Sequence, residues 1–536
     1  PFASQPWAGG LVYKASPPRP MRPLLALLAA CASVAAAEVS FTKQTITKDF
    51  VAEGCAVADF NHDGFVDESD RIGFVAAFES GNPAADFDGD GFITGEDYDG
   101  FDAAFEAGFG WSVITLPPDG IEFLIDNESD LARAKSDLVD ARPTYLRLRA
   151  GNTFPTLGKF TTGTNLIIGR YGDGPNPIVL CREREDGIYW EGGGGSKPVY
   201  FNLTLTGIDF VSDRHPNTDP AGFKFIRGGG KILIEGCRFF GFSDNLNIQG
   251  PTGSPIDGVT LRRCVIADSH GAPQHSQGMY VENVKSLYVI ECLIDHNGWV
   301  LDADRTIFNH NLYLRQGVTD VRVERCIIAR PSATGVSMNL DGRIDGNLIV
   351  NAPVGVNART MGVTVTANVI EGGSNIGTLP RGIGVWCLPV SPEFPGTPGP
   401  LTVTENIITS KLAGVGPEPG IRVSTQSDDF AAPVVISSNI GFRWPAGGAG
   451  LVAVEAPSKG TRDLMILTAN QDRAEQSAST AWPQPGRTVA DYAGSLGLDP
   501  TTEAFLTAAR LNTRAAWDRR FTAQAANAWI AEGYGR

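Results

Sequence analysis

Between Ile232 and Gly441 one short pattern recurs eight times, and no other feature limits so strongly what this chain can fold into. The stretches are ILIEGCRF, VTLRRCVI, LYVIECLI, VRVERCII, GRIDGNLI, VTVTANVI, LTVTENII and VVISSNIG. Each sets apolar residues five and three places before a pivotal Cys or Asn and another two places after it, with Gly342 and Gly441 as the only exceptions. The pivots are Cys237, Cys264, Cys292, Cys326, Asn347, Asn368, Asn406 and Asn439, and Ile208 holds the place in an imperfect earlier copy, LTLTGIDF. Spacings run from 21 to 38 residues, so each repeat is one turn of variable girth. A unit of this kind buries its apolar face only by stacking on its neighbours.

Within a repeat the alternation has period 2, which specifies strands. Three steps replace two just before the pivot, and that reads as a corner. A second short strand precedes later copies, at GMYV, NLYL, GVSM, GVNA, GIGV and GIRV. Strand, corner, strand, loop and strand make one coil of a mostly β fold, a right-handed, single-stranded parallel β-helix, expected over residues 111–487 with an N-terminal cap. The Cys and Asn pivots then form columns inside a corner, where stacked Asn side chains can hydrogen-bond along the stack. Buried thiols fit four Cys at one register better than disulfides do, although eight Cys in an exported chain raise that possibility.

Residues 21–37, MRPLLALLAACASVAAA, have the plan of a secretory segment: Arg22, an apolar run, and an Ala-rich cleavage site before Glu38. Leu28-Ala29-Ala30-Cys31 also resembles a bacterial lipoprotein box. The expected address is secreted or cell-surface, or an outer-membrane lipoprotein with membrane contact through a lipid on Cys31. Of the net charge of −16, most lies in residues 51–110, which hold 15 Asp and Glu against one Arg. The rest is nearly neutral without a basic tail, which argues against nucleic acid as a partner.

That acidic block contains two calcium-type loops, 59–70 and 86–97. In the first, Asp59, Asn61, Asp63, Asp67 and Asp70 stand at ligand places with the Phe65 carbonyl, and Gly64 makes the turn. In the second the ligands are Asp86, Asp88, Asp90, the Phe92 carbonyl, Thr94 and Asp97, with Gly91 turning. Each loop leads into a helix carrying paired Phe: Phe74 and Phe78, then Phe101 and Phe105. Residues 50–110 therefore resemble a dockerin module, which implies two bound calcium ions and a cohesin-like scaffold as partner. Glu68-Ser69 and Gly95-Glu96 depart from the common Ser-Thr recognition pair.

Four His, at 270, 275, 296 and 310, fall on neighbouring coils. By register, Asp268, His296 and Arg330 form a row beside Tyr280 and Tyr313, with His275, His310, Asn309, Asn311 and Arg315 at the edges. A β-helix with such a cluster resembles polysaccharide lyases and uronan epimerases. The resemblance implies that Arg330 or Arg315 neutralises a uronate carboxylate, His296 or His310 abstracts the acidified proton, and Tyr280 or Tyr313 protonates the leaving oxygen. Asp268, His270, His275, Asn309 and Asn311 would hold the sugar. The alternatives are a β-helical glycoside hydrolase and a non-catalytic glycan-binding or surface-attachment protein. Helical patterns in 488–536, with Thr502 and Thr522 as expected N-caps, would cover an end or flank the groove.

Overall fold

In the computed structural model, the described residues are 60, 68–87, 91–98, 100–101 and 111–536 apart from 113, 115–118, 139–141, 161–164, 183, 192–201, 214–219, 272–275, 301–304, 360–361, 389–398, 425–431, 445–449, 456–462 and 474–481. The secretory segment, Cys31, Cys55, His275 and most of the first calcium loop lie outside them.

Three parallel sheets wind into a right-handed β-helix. The chain visits them in turn, and among the described residues they hold 13, 12 and 11 strands, termed sheets A, B and C in chain order. The repeats supply sheet A, then sheet B. Val259, Leu287 and Val321 pair in one inward row, and Leu261, Val289 and Val323 in the next. Both rows are buried, so period-2 alternation has been converted into a continuous column of aliphatic side chains.

The A-to-B corner has one recurring device. The residue before each pivot takes a left-handed backbone, at Arg263 (φ +52°), Glu291 (+52°), Arg325 (+53°), Ala367 (+53°), Glu405 (+60°) and Ser438 (+57°), with Gly236 and Gly346 in other coils. For an L-residue this costs about 1–2 kcal/mol. The pivots compensate. The Cys264 and Cys292 amides donate to Sγ of Cys292 and Cys326, each at 3.4 Å. From Cys326 on, Asn Oδ1 atoms take over that task. Asn Nδ2 of Asn347, Asn368, Asn406 and Asn439 also donates at 2.9 Å to Oδ1 of Asn368, Asn406, Asn439 and Asn470. The expected Asn ladder is present and runs one coil further than the repeat pattern reaches. The described cysteines are free and buried.

Helix α1 (Glu68–Glu79) belongs to the acidic module. Its Phe74 stacks on Phe101 at 3.9 Å, and their cluster also takes in Ile290 and Tyr288 of sheet A. The outward row there runs Glu235, Arg262, Ile290, Glu324, so Ile290 is an apolar residue in a polar column. It is 0% exposed because the module covers it. Residues 111 and 112 are fastened as well: the Ser112 amide donates to Glu235 Oε2 at 3.0 Å, a carboxylate shared with Arg262 and Arg514.

Helix α2 (Glu128–Ser136), capped by Asn127, buries Leu131 and Ala134 against the first coils. Three strands of sheet A, Ile121–Ile125, Thr144–Arg149 and Leu166–Tyr171, precede the earliest repeat copy at Leu203. Helices α3 (Val489–Ser495), α4 (Thr502–Ala509) and α5 (Ala523–Glu532) lie along the outer face of sheet B, on Val265, Ala267, Ile327, Ala329, Leu348 and Ile440. The sheet B strands Val265–Ala267, Ile327–Ala329 and Leu348–Val350 are apolar on both faces for this reason. These helices flank the solenoid. Thr522 is an N-cap as expected; Thr501, one residue earlier than expected, caps α4. Among the described residues no helix is long and apolar enough to cross a membrane.

Candidate functional site

The structure separates the expected trough into two clusters. Asp268, His296 and Arg330 do form a row, all with left-handed backbone at the B-to-C corner. Their side chains, however, turn to the C-terminal helices. Arg510, at the end of α4, donates to both Asp268 oxygens at 2.8 and 2.9 Å, and Asp268 also meets His296 Nδ1 at 2.9 Å. Arg510 Nε and Arg330 reach the fully buried Asp295, at 2.7 and 2.5 Å, and Arg330 also pairs with Glu503. Burial alone would raise the Asp268 carboxyl, but the His296 hydrogen bond and Arg510 hold it well below the usual carboxylate range. Burial would likewise lower Arg510, and Asp295 and Asp268 outweigh it and raise it. This cluster is a closed ionic clamp, with Trp299 stacked on His296 at 4.6 Å. Arg330 is therefore not aimed at a groove.

Three expected sugar contacts are interior. Asn309 and Asn311 are 0% exposed. Asn309 Nδ2 donates to the Gly298 carbonyl, and Asn311 Nδ2 to the carbonyls of Ile294 and Ala329. These amides satisfy a loop carbonyl at Gly298 and carbonyls of two sheet B strands, which leaves them nothing to offer a sugar. His270 is buried with Nδ1 on the Asp268 carbonyl.

The second cluster faces outward on sheet C. Tyr280 and Tyr313 are register partners whose rings sit 5.7 Å apart, edge to face. Tyr280 Oη donates to Glu282 at 2.9 Å and accepts from Arg315 at 3.3 Å, and burial pushes its phenol up to about 12. Tyr313 opens instead into a cleft of about 250 Å³, which it lines with His310, Asn357, Arg359, Arg381 and Trp386; among the described residues no carboxylate lines it. His310 lies 5.0 Å from the Tyr313 ring. Burial, with Arg359 nearby, depresses its imidazole to about 3, so it is neutral across the ordinary range. Two polar atoms here are buried without a hydrogen-bond partner, His310 Nδ1 and Asn357 Oδ1. Unsatisfied polar atoms at a cleft suit a ligand that completes them. Trp386 stands between the guanidinium groups of Arg381 and Arg422, 5.9 and 5.0 Å from its ring centre.

The repeat and its coils agree with a known family pattern. Residues 217–370 match the family model of the right handed beta helix region. No curated protein matches the chain. Among solved structures it is similar to the Dettilon tailspike protein, gp208, at 11% identity and TM-score 0.36, covering 64% of each chain. It is also similar to the alginate lyase AlyF-OU02, solved as a complex with G6, at 10% identity and TM-score 0.32, covering 67% of this chain and 90% of that one. The chain thus spans 64% of the tailspike's length.

Of the second loop's expected side-chain ligands, Asp88 and Asp90 lie outside the described residues. Gly91 (φ +90°) donates its amide to Asp86 Oδ2 at 2.9 Å, while Asp86 Oδ1 is buried with no partner. Asp97 is 0% exposed; its oxygens accept the amides of Phe87 and Thr94, both at 2.7 Å. Phe92 and Thr94 are exposed on the same loop. Among the described residues alone, no group of three or more His, Cys, Asp or Glu converges for a metal.

Proposed function

We propose that this is a polysaccharide-active β-helix protein, and that it cleaves a uronate-containing glycan by β-elimination in the sheet C cleft. The observation that carries the reading is one cleft whose described lining holds a neutral imidazole, a phenol and guanidinium groups and no carboxylate. Arg359 and Arg381 neutralise the uronate carboxylate and so acidify the adjacent C5–H. His310 takes that proton as the C4–C5 double bond forms. The C4–O bond breaks, and Tyr313 protonates the departing oxygen. The proton-abstracting and charge-neutralising roles rest on His310, Arg359 and Arg381, because His296 and Arg330 are committed to Asp268, Asp295 and Glu503.

Incubation with a panel of polyuronates, following the ultraviolet absorbance of the unsaturated product, tests this. The band should appear and be lost in His310→Ala and Tyr313→Phe. New reducing ends without the band would instead indicate hydrolysis. Binding with neither product would favour the second reading, a glycan-holding surface, for which the Tyr280–Tyr313 pair and Trp386 provide aromatic contact.

We also infer that the paired loops of the 50–110 module hold calcium. The unpartnered Asp86 Oδ1 is the support, since a hard cation would satisfy it and balance the negative charge of the buried Asp97 carboxylate on the same loop. Calorimetric titration should give two calcium sites, reduced to one in Asp86→Ala. Export through residues 21–37, or lipid attachment at Cys31, and docking to a cohesin-like scaffold belong to the same reading.

A further inference from the structure

The sheet C cleft contains one side chain from each of four consecutive coils, in strict register. Tyr313 pairs with Ser337, Ser337 with Asn357, and Asn357 with Trp386. Neighbouring strands stand ~4.8 Å apart, so the row from Tyr313 to Trp386 is ~14 Å long. One strand step is close to the length of one pyranose residue in an extended glycan. A chain laid along the solenoid therefore stays in phase with the coils, whereas a chain laid across the sheet meets one coil and leaves it.

We propose that sheet C binds an acidic glycan lengthwise, one sugar residue per coil, over the four coils between Tyr313 and Trp386. This rests on the reading of the cleft as a glycan site. The row offers an aromatic ring at each end and an amide at Asn357 whose Oδ1 has no partner, with Ser337, 2% exposed, as the small residue of the floor between them. Arg381 lines the same cleft beside Arg359, and none of the cleft's described lining residues is a carboxylate, which suits an anionic ligand. The far end is closed. One coil beyond Trp386, Arg422 is held by Glu418 at 2.9 Å and by Glu455, which places carboxylates where a further acidic sugar would lie.

The arrangement is asymmetric, because His310 and Tyr313 stand at one end of the row. Three coils lie on the Trp386 side of the proposed chemistry, so cleavage should leave about three sugar residues held there.

The test is calorimetric binding of acidic oligosaccharides from dimer to hexamer to the full chain, using His310→Ala if the unaltered protein cleaves them. Affinity should rise with each added residue to about four and then level off, in line with one residue per coil. Trp386→Ala should move that plateau to about three. Arg381→Gln, a milder change at the same end, should weaken the acidic series about tenfold and leave a neutral series of equal length unchanged.

Affinity independent of length, or a plateau that Trp386→Ala does not move, overturns the proposal. So does equal affinity for the neutral series. The cleavage reading fails separately: length-dependent binding with no unsaturated product would leave the lengthwise site standing and remove the lyase.

Discussion

Arg510 grips both oxygens of Asp268, at 2.8 and 2.9 Å, across 242 residues of chain. That contact, with its branch to the fully buried Asp295, ties the C-terminal helices to the B-to-C corner of the coils that carry the histidines. A row that looks catalytic in one dimension is a fastening in three. The fastening also keeps the outward apolar strip of sheet B covered by α3, α4 and α5.

Replacing Arg510 by Ala should therefore cost about 3–5 kcal/mol, because it leaves Asp295 buried beside a single remaining cation. Denaturant unfolding measures the loss. Limited proteolysis should cut first within residues 488–536, leaving the β-helix intact. Unaltered cleavage rates in the variant would show that the clamp does not hold the helices.

The Asn column gives a second test. Asn368 Nδ2 donates to Ile344 and Thr366 carbonyls and to Asn406 Oδ1, while its own Oδ1 serves the amide of Asn347. Asn368→Ala strands several buried groups at once, and about 3 kcal/mol of stability should be lost, as each such group costs about 1–3 kcal/mol. Asn368→Cys should lose less than half as much. Sulfur accepts the preceding pivot's amide in the neighbouring coils at 3.4 Å, so the column already works with either atom. Equal losses in the two variants would mean that the corner is held by packing alone.

The solenoid was legible because its code is local and periodic: apolar places around one pivot set coil, corner and inward face together. The same code missed Asn470, whose stretch MILTANQD carries Asp472 where the pattern asks for an apolar residue. It is the last coil, with Leu467 50% exposed, so the inward demand has lapsed. The ion pairs of Arg510 were illegible for a different reason, since charge pairing over 242 residues leaves no period. Trp386 was hidden by alignment. Setting the stretch GIGV on Gly382 puts Gly384 in the outward row, whereas the ladder pairs Asn357 with Trp386. Arg359 and Arg381 come from beyond the strand ends, where no register applies. Asn309 and Asn311 were read as edge residues because the pattern places them at the start of the strand His310–Leu314 without showing which way each side chain turns.

Glu371 should impose a pH dependence on the C-terminal helices. It is buried at the end of a sheet B strand, and its Oε2 accepts the amide of Val489, the first residue of α3, at 2.8 Å. Burial pushes its carboxyl up from 4.5 to about 7, opposed by the Val489 hydrogen bond. With the folded value raised, the group's favourable contribution is complete below about 4.5 and is lost as pH climbs through about 7. A change of this size corresponds to up to about 3 kcal/mol. Glu371→Gln keeps an acceptor for Val489 without the charge, and should flatten the melting temperature between pH 5 and 8 and raise it at the upper end. A variant whose melting profile still falls over that window would assign the dependence to other groups.

Ile290 offers the sharpest test of how the acidic module is mounted. It is outward-facing in a row whose neighbours are Arg262 and Glu324, and an isoleucine in that company is stable only if something apolar covers it. The cover is the Phe74–Phe101 stack with Phe78, Phe87 and Tyr98 around it. Burying one such side chain stabilises the contact by about 1.5–3 kcal/mol, and Asp in its place would add the cost of a desolvated carboxylate. Ile290→Asp should therefore detach the module while the coils beneath keep their inward rows, Leu287 and Val289 included. Hydrogen exchange should quicken in residues 68–79 by about tenfold or more and remain slow in 287–294, since only the interface is lost. Because residues 111 and 112 remain fastened through Glu235 and Arg514, the released module stays tethered close to the same corner. Exchange that quickens equally in both segments would mean that Ile290 supports the sheet itself, and unchanged exchange in 68–79 would mean that the module does not depend on this contact.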